Sequence, residues 1–287
     1  MVSVLKSPLN YTGGKCKLLP CILPVFAEAQ GVTRFIDLFC GGLNVGINIS
    51  YPTIVANDTL RQIMELYQTW RVQPIDDVLA AIKLRIQHYG LTKQNKAGFL
   101  ALRAAYNFSA FKDPIDFFVL VCYGFNNQIR FNRRGEFNLP FGLNRSSFNA
   151  SIRANLIAFC EALKAKQIIL STLDFEEALE VHLGPIPAET LIYCDPPYLI
   201  STATYNESGG WTETEERRLY AVLDRAHHGG ARFVLSNLMS HGDKENTLLR
   251  EWATRYRVRT LDYTYSHCSY HKKDSLKRGE EVLVTNY

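Results

Sequence analysis

The sequence predicts an α/β fold in which a mostly parallel sheet is covered by helices and closed by an antiparallel pair of strands. Short stretches rich in apolar residues, such as 34–38 and 191–193, have the length and composition of buried strands. Stretches with helical spacing of apolar residues alternate with these runs, as parallel strands joined by helices require. A mainly helical stretch at 61–154 interrupts the alternation, so we predict that it is an inserted domain.

Composition restricts the class of protein. With 287 residues, 47% of them hydrophobic and 21% charged, the chain resembles an ordinary soluble globular protein. The formal net charge of +4 only mildly favours an anionic partner. Seven scattered cysteines without a CxxC pair indicate neither a disulfide framework nor a zinc site. A signal-peptide core and a membrane-length apolar run are both missing, so we expect a cytoplasmic protein with no membrane association.

A first glycine-containing motif, Tyr11-Thr12-Gly13-Gly14-Lys15, precedes an apolar helical pattern. Paired glycines let a backbone approach a ligand closely, and the lysine can meet a carboxylate or a phosphate. On this motif alone, an ordinary turn at the entry to a helix is the better interpretation.

A second glycine turn carries a stronger signal. The strand that ends at Asp37 runs into Gly41, and we predict a helix from about Leu43. A strand, a glycine turn and a helix form the unit from which nucleotide-type binding folds are built. The next strand ends in Asp58, about twenty residues later, where an acid commonly holds ribose hydroxyls. The pair suits an adenosine-bearing ligand, and a helix N-cap is the competing role for Asp58.

The inserted stretch ends in a basic segment. Residues 128–141 alternate apolar and polar side chains around a glycine, which predicts a β-hairpin. From Gln128 to Arg153, five arginines stand against one acid, Glu136, which gives a local charge of +4. Arginine interleaved with asparagine and phenylalanine suits a reader of nucleic acid, although an ordinary solvated hairpin has the same charge pattern. The candidate contacts are Arg130, Asn132, Arg133, Arg134 and Pro140.

The remainder of the chain returns to strands and helices. Thr212 precedes Glu215 by the spacing of a capping box, which marks the start of a helix. The predicted order is a strand at 167–170, a helix at 176–182, a strand at 191–193, a helix from 212 to about 227, a strand at 232–236, a helix at 244–255, and pairing strands at 258–265 and 281–287. A basic loop at 266–279 is a second candidate contact for a polyanion.

The run at 191–193 ends in Asp195-Pro196-Pro197-Tyr198, where the prolines stop the ladder and stiffen the turn. Asp195 and Tyr198 should stand at the carboxyl end of a strand, where open α/β sheets bind ligands. An exocyclic purine amine is a weak nucleophile, because its lone pair is delocalised into the ring. The Asp195 carboxylate and the Pro196 carbonyl can accept both amino hydrogens while Tyr198 stacks on the base. The competing interpretation is a metal-binding or helix-capping aspartate.

These motifs resemble the Dam-like, D12-class adenine-specific DNA methyltransferases over nearly the whole chain. The resemblance rests, in order, on residues 11–15, 37–42, 57–58, 130–142, 195–198 and 236–237, and the tract 198–249 looks most like the T-even phage branch. The family implies a Rossmann-like methyltransferase sheet, mostly parallel with an antiparallel terminal hairpin, and an inserted, mainly helical target-recognition domain with a β-hairpin. It implies a catalytic domain at 1–60 and 155–287 and a DNA-binding domain at 61–154.

The resemblance also implies a role for each motif. S-adenosyl-L-methionine would donate a methyl group to a flipped adenine in double-stranded DNA, with GATC as the target and without a metal. The implied cofactor residues are Tyr11, Gly14, Lys15, Asp37, Phe39, Gly41, Asp58 and Asp195, and the implied catalytic residues are Asp195, Pro196 and Tyr198. Arg130 would read a guanine of the target. Many members carry a third glycine where this chain has Leu43, a difference expected to alter packing more than activity.

Two other functions stay open. The first is a methyltransferase acting on another amine, in cytosine, RNA or protein. Cytosine amino enzymes more often carry Ser-Pro-Pro-Tyr and protein glutamine enzymes Asn-Pro-Pro-Tyr, so Asp195 favours adenine. The second is a catalytically silent DNA-binding homologue, against which the presence of Asp195, Tyr198, Asp58 and Lys15 argues. A restriction-modification enzyme, a phage protection enzyme and a solitary enzyme are all compatible with the sequence.

Overall fold

A computed structural model of the chain describes residues 4–184, 187–201, 210–261 and 279–287. Over these residues the protein is mixed α/β, with a mostly parallel sheet and antiparallel strands, which confirms the predicted Rossmann-like fold class. Of the basic loop predicted at 266–279, all but Gly279 lies outside the described residues. None of the described helices has the length and apolar character needed to cross a membrane.

The regular elements follow one another along the chain as helices interspersed with short strands. In chain order they are α1 (Leu19–Ala27), β1 (Arg34–Asp37), β2 (Thr53–Asn57), α2 (Arg61–Val72), α3 (Ile75–His88), α4 (Lys96–Phe108), α5 (Pro114–Tyr123), α6 (Ala150–Ala165), β3 (Ile168–Ser171), α7 (Phe175–His182), β4 (Thr190–Cys194), α8 (Glu213–His228), β5 (Arg232–His241), β6 (Lys244–Glu245), α9 (Thr247–Ala253), β7 (Arg257–Thr260) and β8 (Glu280–Thr285).

The chain divides into two compact units, each built from several segments. The first unit contains Met1–Lys17, Cys40–Ser50 and Asp58–Thr172, and the second contains Leu18–Phe39, Tyr51–Asn57 and Leu173–Tyr287. The first unit holds α2 to α6 and β3, and the second holds the other elements. The assignment of residues 61–154 to target recognition stays a prediction.

The sheet of the second unit has the strand order β2-β1-β4-β5-β8-β7. The first four strands run parallel, and β8 lies antiparallel between β5 and β7, as predicted for the final pair. Asp37 pairs with Tyr193 and Cys194 pairs with Leu235, so the carboxyl ends of β1 and β4 meet at one edge, while β5 continues beyond them to His241. Every residue of β4 is buried, as expected for a central strand covered on both faces.

The first unit is mainly helical and centres on α5. Eight residues of α5, from Ile115 to Tyr123, are buried, and α2, α3 and α4 pack against this helix. A helix that is apolar all round belongs in a core. Asp113 fixes its start, because the Asp113 carboxylate accepts hydrogen bonds from the amides of Ile115 and Asp116.

The helix predicted from Leu43 is wrong. The structure has only a 3-10 turn at Gly46–Asn48, and Leu43 itself has a φ of 55°. A left-handed residue cannot begin a right-handed helix, and a side chain in this region costs about 1–2 kcal/mol. The neighbouring Asn44 accepts a hydrogen bond from the amide of Ser7, a contact within the first unit that the local pattern does not reveal.

The helix predicted at 244–255 begins later than expected. Lys244–Glu245 instead forms β6, which pairs with the end of β5, and β5 is longer than predicted because it continues to His241. Asn246 then caps α9 by accepting the amide of Leu249 at 3.0 Å. The apolar residues of 244–255 have helical spacing, but the first two residues of this segment pair with β5 and so stay outside the helix.

Candidate active site

Two carboxylates stand at the carboxyl ends of neighbouring strands in the second unit. Asp37 is the last residue of β1 and is almost fully buried. Asp195 directly follows β4 and is half-buried. Burial and then the nearby carboxylates of Asp195 and Asp37 raise the pKa of the Tyr193 phenol, so both acids lie near this ring. The structure therefore brings the two predicted acids together at the edge where α/β sheets bind ligands.

The turn after β4 is tied to the sheet through the hydroxyl of Tyr198. This hydroxyl lies 2.8 Å from Glu281 Oε1, 3.1 Å from Asp195 Oδ1 and 3.2 Å from Ser236 Oγ. Pro196, between the two predicted catalytic side chains, is buried. The turn is therefore fixed by its prolines along the chain and by side-chain hydrogen bonds across the sheet.

The protonation states of Tyr198 and Cys194 follow from their surroundings. Burial, then Asp195 and then Glu281 raise the pKa of Tyr198 well above its ordinary range, so the phenol keeps its proton. Burial, followed by Asp37 and Asp195, also raises the pKa of the Cys194 thiol well above its ordinary range. A thiol reacts as a nucleophile only when it is deprotonated, so Cys194 does not suit that role.

Phe39, two residues after the end of β1, packs against two aromatic side chains of the second unit. Its ring centre lies 5.7 Å from that of Phe175 and 5.6 Å from that of Trp211. These separations lie within the range of favourable aromatic contacts. Phe39 remains partly exposed, so its predicted contact with a cofactor and this packing are compatible.

A fully buried carboxylate, Glu216, binds the middle of β5 and the start of α9. Its Oε1 atom accepts hydrogen bonds from Tyr220 Oη at 2.6 Å, Asn237 Nδ2 at 2.9 Å and Asn246 Nδ2 at 3.0 Å, and its Oε2 atom accepts from Trp211 Nε1. Because Asn237 follows Ser236 in the middle of β5, Glu216 holds the part of the strand that supplies one partner of Tyr198.

Sequence reasoning missed both Glu216 and Glu281. Three buried apolar residues, 282–284, follow Glu281 in its strand, and an acid directly before such a run was the available signal. Glu216 stands in the first turn of a helix, where exposed acids are common, so its burial had no comparable signal.

In the first unit, the glycine turn is covered by Tyr11. Gly41 has a φ of +44°, and a Cβ atom there would lie 2.7 Å from the Tyr11 ring. Only glycine allows the ring to pack this closely on the backbone. The carbonyl of Gly41 accepts the hydroxyl of Tyr67 at 2.7 Å, which holds the turn against α2.

The motif at residues 11–15 forms a turn in the first unit. The amide of Gly14 donates to the carbonyl of Tyr11 at 3.1 Å, and the Nζ atom of Lys15 donates to the carbonyl of Gly13 at 3.0 Å. Lys15 is buried, unlike most lysines. The turn predicted here is present, and its contact with a ligand stays a prediction.

Asp58 connects the glycine turn with the start of α2. Its Oδ2 atom accepts the amide of Gly41 at 2.9 Å, and its Oδ1 atom accepts the amide of Leu60 at 2.9 Å. Burial raises the pKa of Asp58, and these two amides act in the opposite direction. Asp58 is not the N-cap of α2, because that position is held by Leu60 without a side-chain cap, and the Asp58 carboxylate instead closes a short turn before the helix. Each carboxylate oxygen still has a second lone pair that suits a ribose hydroxyl.

The segment predicted as a β-hairpin folds back on itself with few ladder bonds. Its antiparallel pairing consists of isolated bridges, Gly124 with Phe141 and Phe131 with Phe137. The side-chain oxygen of Asn132 accepts the amides of Arg134 and Glu136, so it replaces the ladder at the tip. The hairpin topology is as predicted, and continuous strands are not formed among these residues.

The five candidate DNA-binding residues lie on this hairpin. Arg130 is exposed, and its guanidinium donates to both Asn138 Oδ1 at 3.0 Å and the Asn138 carbonyl at 2.8 Å. Arg133, Arg134 and Pro140 are also exposed. Arg130 therefore bridges the two arms of the hairpin, a role the sequence did not predict.

The residues of each unit suit parts of an adenosine-bearing methyl donor. In the first unit, a ring over a glycine turn and the Asp58 carboxylate offer an aromatic surface and acceptors for ribose hydroxyls. In the second unit, Asp37 and Asp195 offer negative charge to a cationic group. Within the described ranges, three or more His, Cys, Asp or Glu side chains are nowhere grouped as a metal site requires.

Comparison with known proteins identifies the family. The family model of the D12 class N6 adenine-specific DNA methyltransferases matches residues 11–267. The chain is 41% identical to the type II methyltransferase M.FokI of Planomicrobium okeanokoites and 39% identical to the modification methylase StsI of Streptococcus sanguinis. It is 25% identical to the DNA adenine methylase of Escherichia coli strain K12, over 96% of this chain and 93% of that protein.

The lengths of these relatives differ. The match to M.FokI and StsI covers 99% of this chain and 43% of each relative, so the chain spans less than half of their length. The family model covers most of the chain, and it includes the Asp37, Asp58, Arg130 and Asp195 motifs. From the fold, the acid pair at the strand ends and this match, we conclude that the chain belongs to the D12 class of N6 adenine-specific DNA methyltransferases.

Proposed function

We propose that this protein transfers a methyl group from S-adenosyl-L-methionine to the exocyclic amino group of adenine in duplex DNA. The observation that carries the proposal is the Asp195-Pro196-Pro197-Tyr198 turn, held beside Asp37 at the carboxyl edge of the sheet. Membership of the D12 class supports it, and so do the names of the relatives, which are DNA methyltransferases or modification methylases.

The turn would activate the amine by accepting its hydrogens. The Asp195 carboxylate accepts one amino hydrogen and the Pro196 carbonyl accepts the other, which returns the lone pair to nitrogen. The cofactor supplies a methyl group already activated by a positive sulfur, so the residues contribute positioning and electrostatics. The adenine would be flipped from the helix at a cost of a few kcal/mol and would stack on Tyr198.

The proposed cofactor contacts are the residues of the family motifs. They are Tyr11, Gly14, Lys15, Asp37, Phe39, Gly41, Asp58 and Asp195. Asp58 holds the ribose hydroxyls, while the acids at the strand ends face the methionine part.

Acidification is expected to weaken cofactor binding through Asp58. Burial raises the pKa of this carboxyl, so it takes up a proton at a higher pH than an ordinary aspartate. The ribose hydroxyls lose an ionic acceptor as the pH falls through that raised pKa, so the Kd for S-adenosyl-L-methionine should rise on acidification. Calorimetric titration over a pH series measures this.

Asp58→Asn should raise the Kd about tenfold, as loss of a charged acceptor implies, and should remove its pH dependence. Asp76→Asn, which changes an exposed acid of the same unit, is the matched control. An unchanged pH profile in Asp58→Asn would assign the acid sensitivity to another group and reject the ribose role.

The hairpin is proposed to read the target sequence, with GATC as the first candidate. Arg130→Ala should cost about 1–3 kcal/mol of binding and relax selectivity at one base pair, because arginine pairs bidentately with guanine. Asn138→Ala removes the side-chain acceptor of Arg130 but keeps the arginine, so it controls for hairpin distortion. Binding to a panel of single-base-pair variants measures the selectivity. Equal weakening on all sequences would make Arg130 a phosphate contact.

The function is tested by identifying the modified base. The protein is incubated with S-adenosyl-L-methionine labelled in the methyl group and with unmethylated duplex DNA of mixed sequence. Mass spectrometry of the nucleosides should find N6-methyladenine, and sequencing should place it at one consensus. Modified cytosine, or label found only in RNA or protein, would favour the other amine substrates. Specific DNA binding without transfer would favour the silent homologue.

The biological setting follows from the same proposal. The relatives named as modification methylases favour a restriction-modification role, with double-stranded DNA as the partner and a bacterial cytoplasm as the location. If the mapped consensus is not GATC, we would infer that Arg133 and Arg134 at the hairpin tip contribute to target recognition.

A further inference from the structure

The Tyr198 hydroxyl contacts side chains from three separate stretches of the second unit. Asp195 belongs to the same turn, Ser236 lies on β5 and Glu281 lies on β8. The shortest of the three separations, 2.8 Å, is to Glu281 Oε1. Of these three partners, Glu281 is the nearest to a side chain that the proposed function places against the adenine.

The carboxylates of Asp195 and Glu281 compete for the single proton of the Tyr198 hydroxyl. A neutral phenol has one hydrogen to donate. Asp195 and Glu281 are both within range to accept it, and the shorter distance favours Glu281. Ser236 Oγ lies 3.4 Å from Glu281 Oε1, so its hydroxyl can add a further hydrogen bond to the same carboxylate.

The sheet fixes the position of Glu281. The side chain is 7% exposed, and the residue pairs with Leu238 in the ladder between β5 and β8. Its carbonyl also accepts the amide of Leu261 at 2.8 Å. The Glu281 carboxylate therefore stands on a rigid element, paired on both sides, while Tyr198 stands on a turn.

We propose that Glu281 is a positioning residue for methyl transfer. It accepts the hydroxyl proton of Tyr198, fixes the phenol ring for stacking, and draws that proton away from the Asp195 carboxylate. This inference rests on the proposed function, because the benefit to Asp195 is a stronger acceptor for the adenine amine. Glu281 acts through Tyr198 and does not itself contact substrate.

The test compares single-turnover methylation by Glu281→Ala, Glu281→Gln and Glu280→Ala. Glu280 is the exposed neighbour on the same strand and serves as the matched control. We expect Glu281→Ala to lower the rate constant about ten- to hundredfold, as loss of a hydrogen bond to a charged group implies, with the Kd values for DNA and cofactor changed less than twofold. Glu281→Gln keeps an acceptor and should recover part of the rate.

A double substitution separates positioning from a general structural role. In Tyr198→Phe the hydroxyl is gone, so adding Glu281→Ala should lower the rate less than twofold further. Independent, multiplicative losses in the double variant would overturn the proposal. So would equal losses in Glu281→Ala and Glu280→Ala. Rates are normalised to folded protein, so that lost stability is not counted as lost catalysis.

If the wild-type protein transfers no methyl group, the proposed function is rejected. The hydrogen bond between Tyr198 and Glu281 can then still be tested by nuclear magnetic resonance. Protein labelled with carbon-13 at the tyrosine Cζ atom gives a resonance for Tyr198, assigned with Tyr198→Phe. Glu281→Ala should shift this resonance and Glu280→Ala should not. An unmoved resonance in Glu281→Ala would overturn the hydrogen bond on which the inference stands.

Discussion

Asp195→Ala is expected to lower the single-turnover rate of methyl transfer about 10²–10³-fold, the range for losing one preorganised electrostatic contact in an active site. The carboxylate stands at the end of β4 and is reached by the Tyr198 hydroxyl at 3.1 Å. Without it, one amino hydrogen of adenine has no acceptor from the turn, and the lone pair stays in the ring. DNA binding should persist, because the cationic hairpin is unchanged.

The measurement pairs a rapid-quench methylation assay with a mobility-shift titration of the same DNA. Cys194→Ala is the matched control, since it changes the adjacent residue, whose thiol is buried and protonated. The control should keep the rate within a few-fold and lose a little stability to the small cavity. Undiminished turnover in Asp195→Ala would falsify the assignment of the turn as the site of chemistry.

Glu216→Leu is expected to lower the free energy of unfolding by about 3–5 kcal/mol, because removing a buried acceptor leaves its donors without a partner. Four side-chain donors meet this carboxylate: those of Tyr220, Asn237, Asn246 and Trp211. Glu216 is fully buried, so water does not replace the lost contacts. Leucine has a similar size, so the effect comes from the hydrogen bonds and not from a cavity.

Urea unfolding followed by circular dichroism measures the change. Glu213→Leu replaces an exposed acid in the first turn of the same helix and should shift the midpoint only slightly. Equal midpoints for the two variants would show that the buried network contributes nothing to stability. Glu216→Gln should also destabilise, since its amide hydrogens face donors.

The main outline of the second unit could be read from the sequence because its signals are local. Apolar runs that end in Asp37 and Asp195 predicted strands with acids at their carboxyl ends, and the parallel register brings those ends together. Tertiary contacts overrode the local pattern elsewhere. Leu43 takes a left-handed conformation, and the tip of the hairpin uses the Asn132 side chain in place of ladder bonds.

The buried acids could not be found by the same reasoning. Glu281 and Tyr198 are 83 positions apart, and Glu216 meets Asn246 across 30 positions. An acid in the first turn of a helix is usually solvated, so nothing local distinguishes Glu216. The apolar residues after Glu281 mark it as unusual but do not identify its partner. Only the completed sheet brings the partners together and makes each carboxylate necessary.

The position of β8 in the sheet delays the folding of the second unit during synthesis. The strand is encoded after β5 and β7 but lies between them in the sheet. When β5 and β7 have been synthesised and β8 has not, the edges of both strands that later pair with β8 are unpaired. At that stage Tyr198 also lacks its partner Glu281. Unpaired edges attract other chains, so aggregation competes with folding until β8 emerges. Synthesis must therefore continue past β7 before the sheet of the second unit can close, and the strand that closes it also carries Glu281.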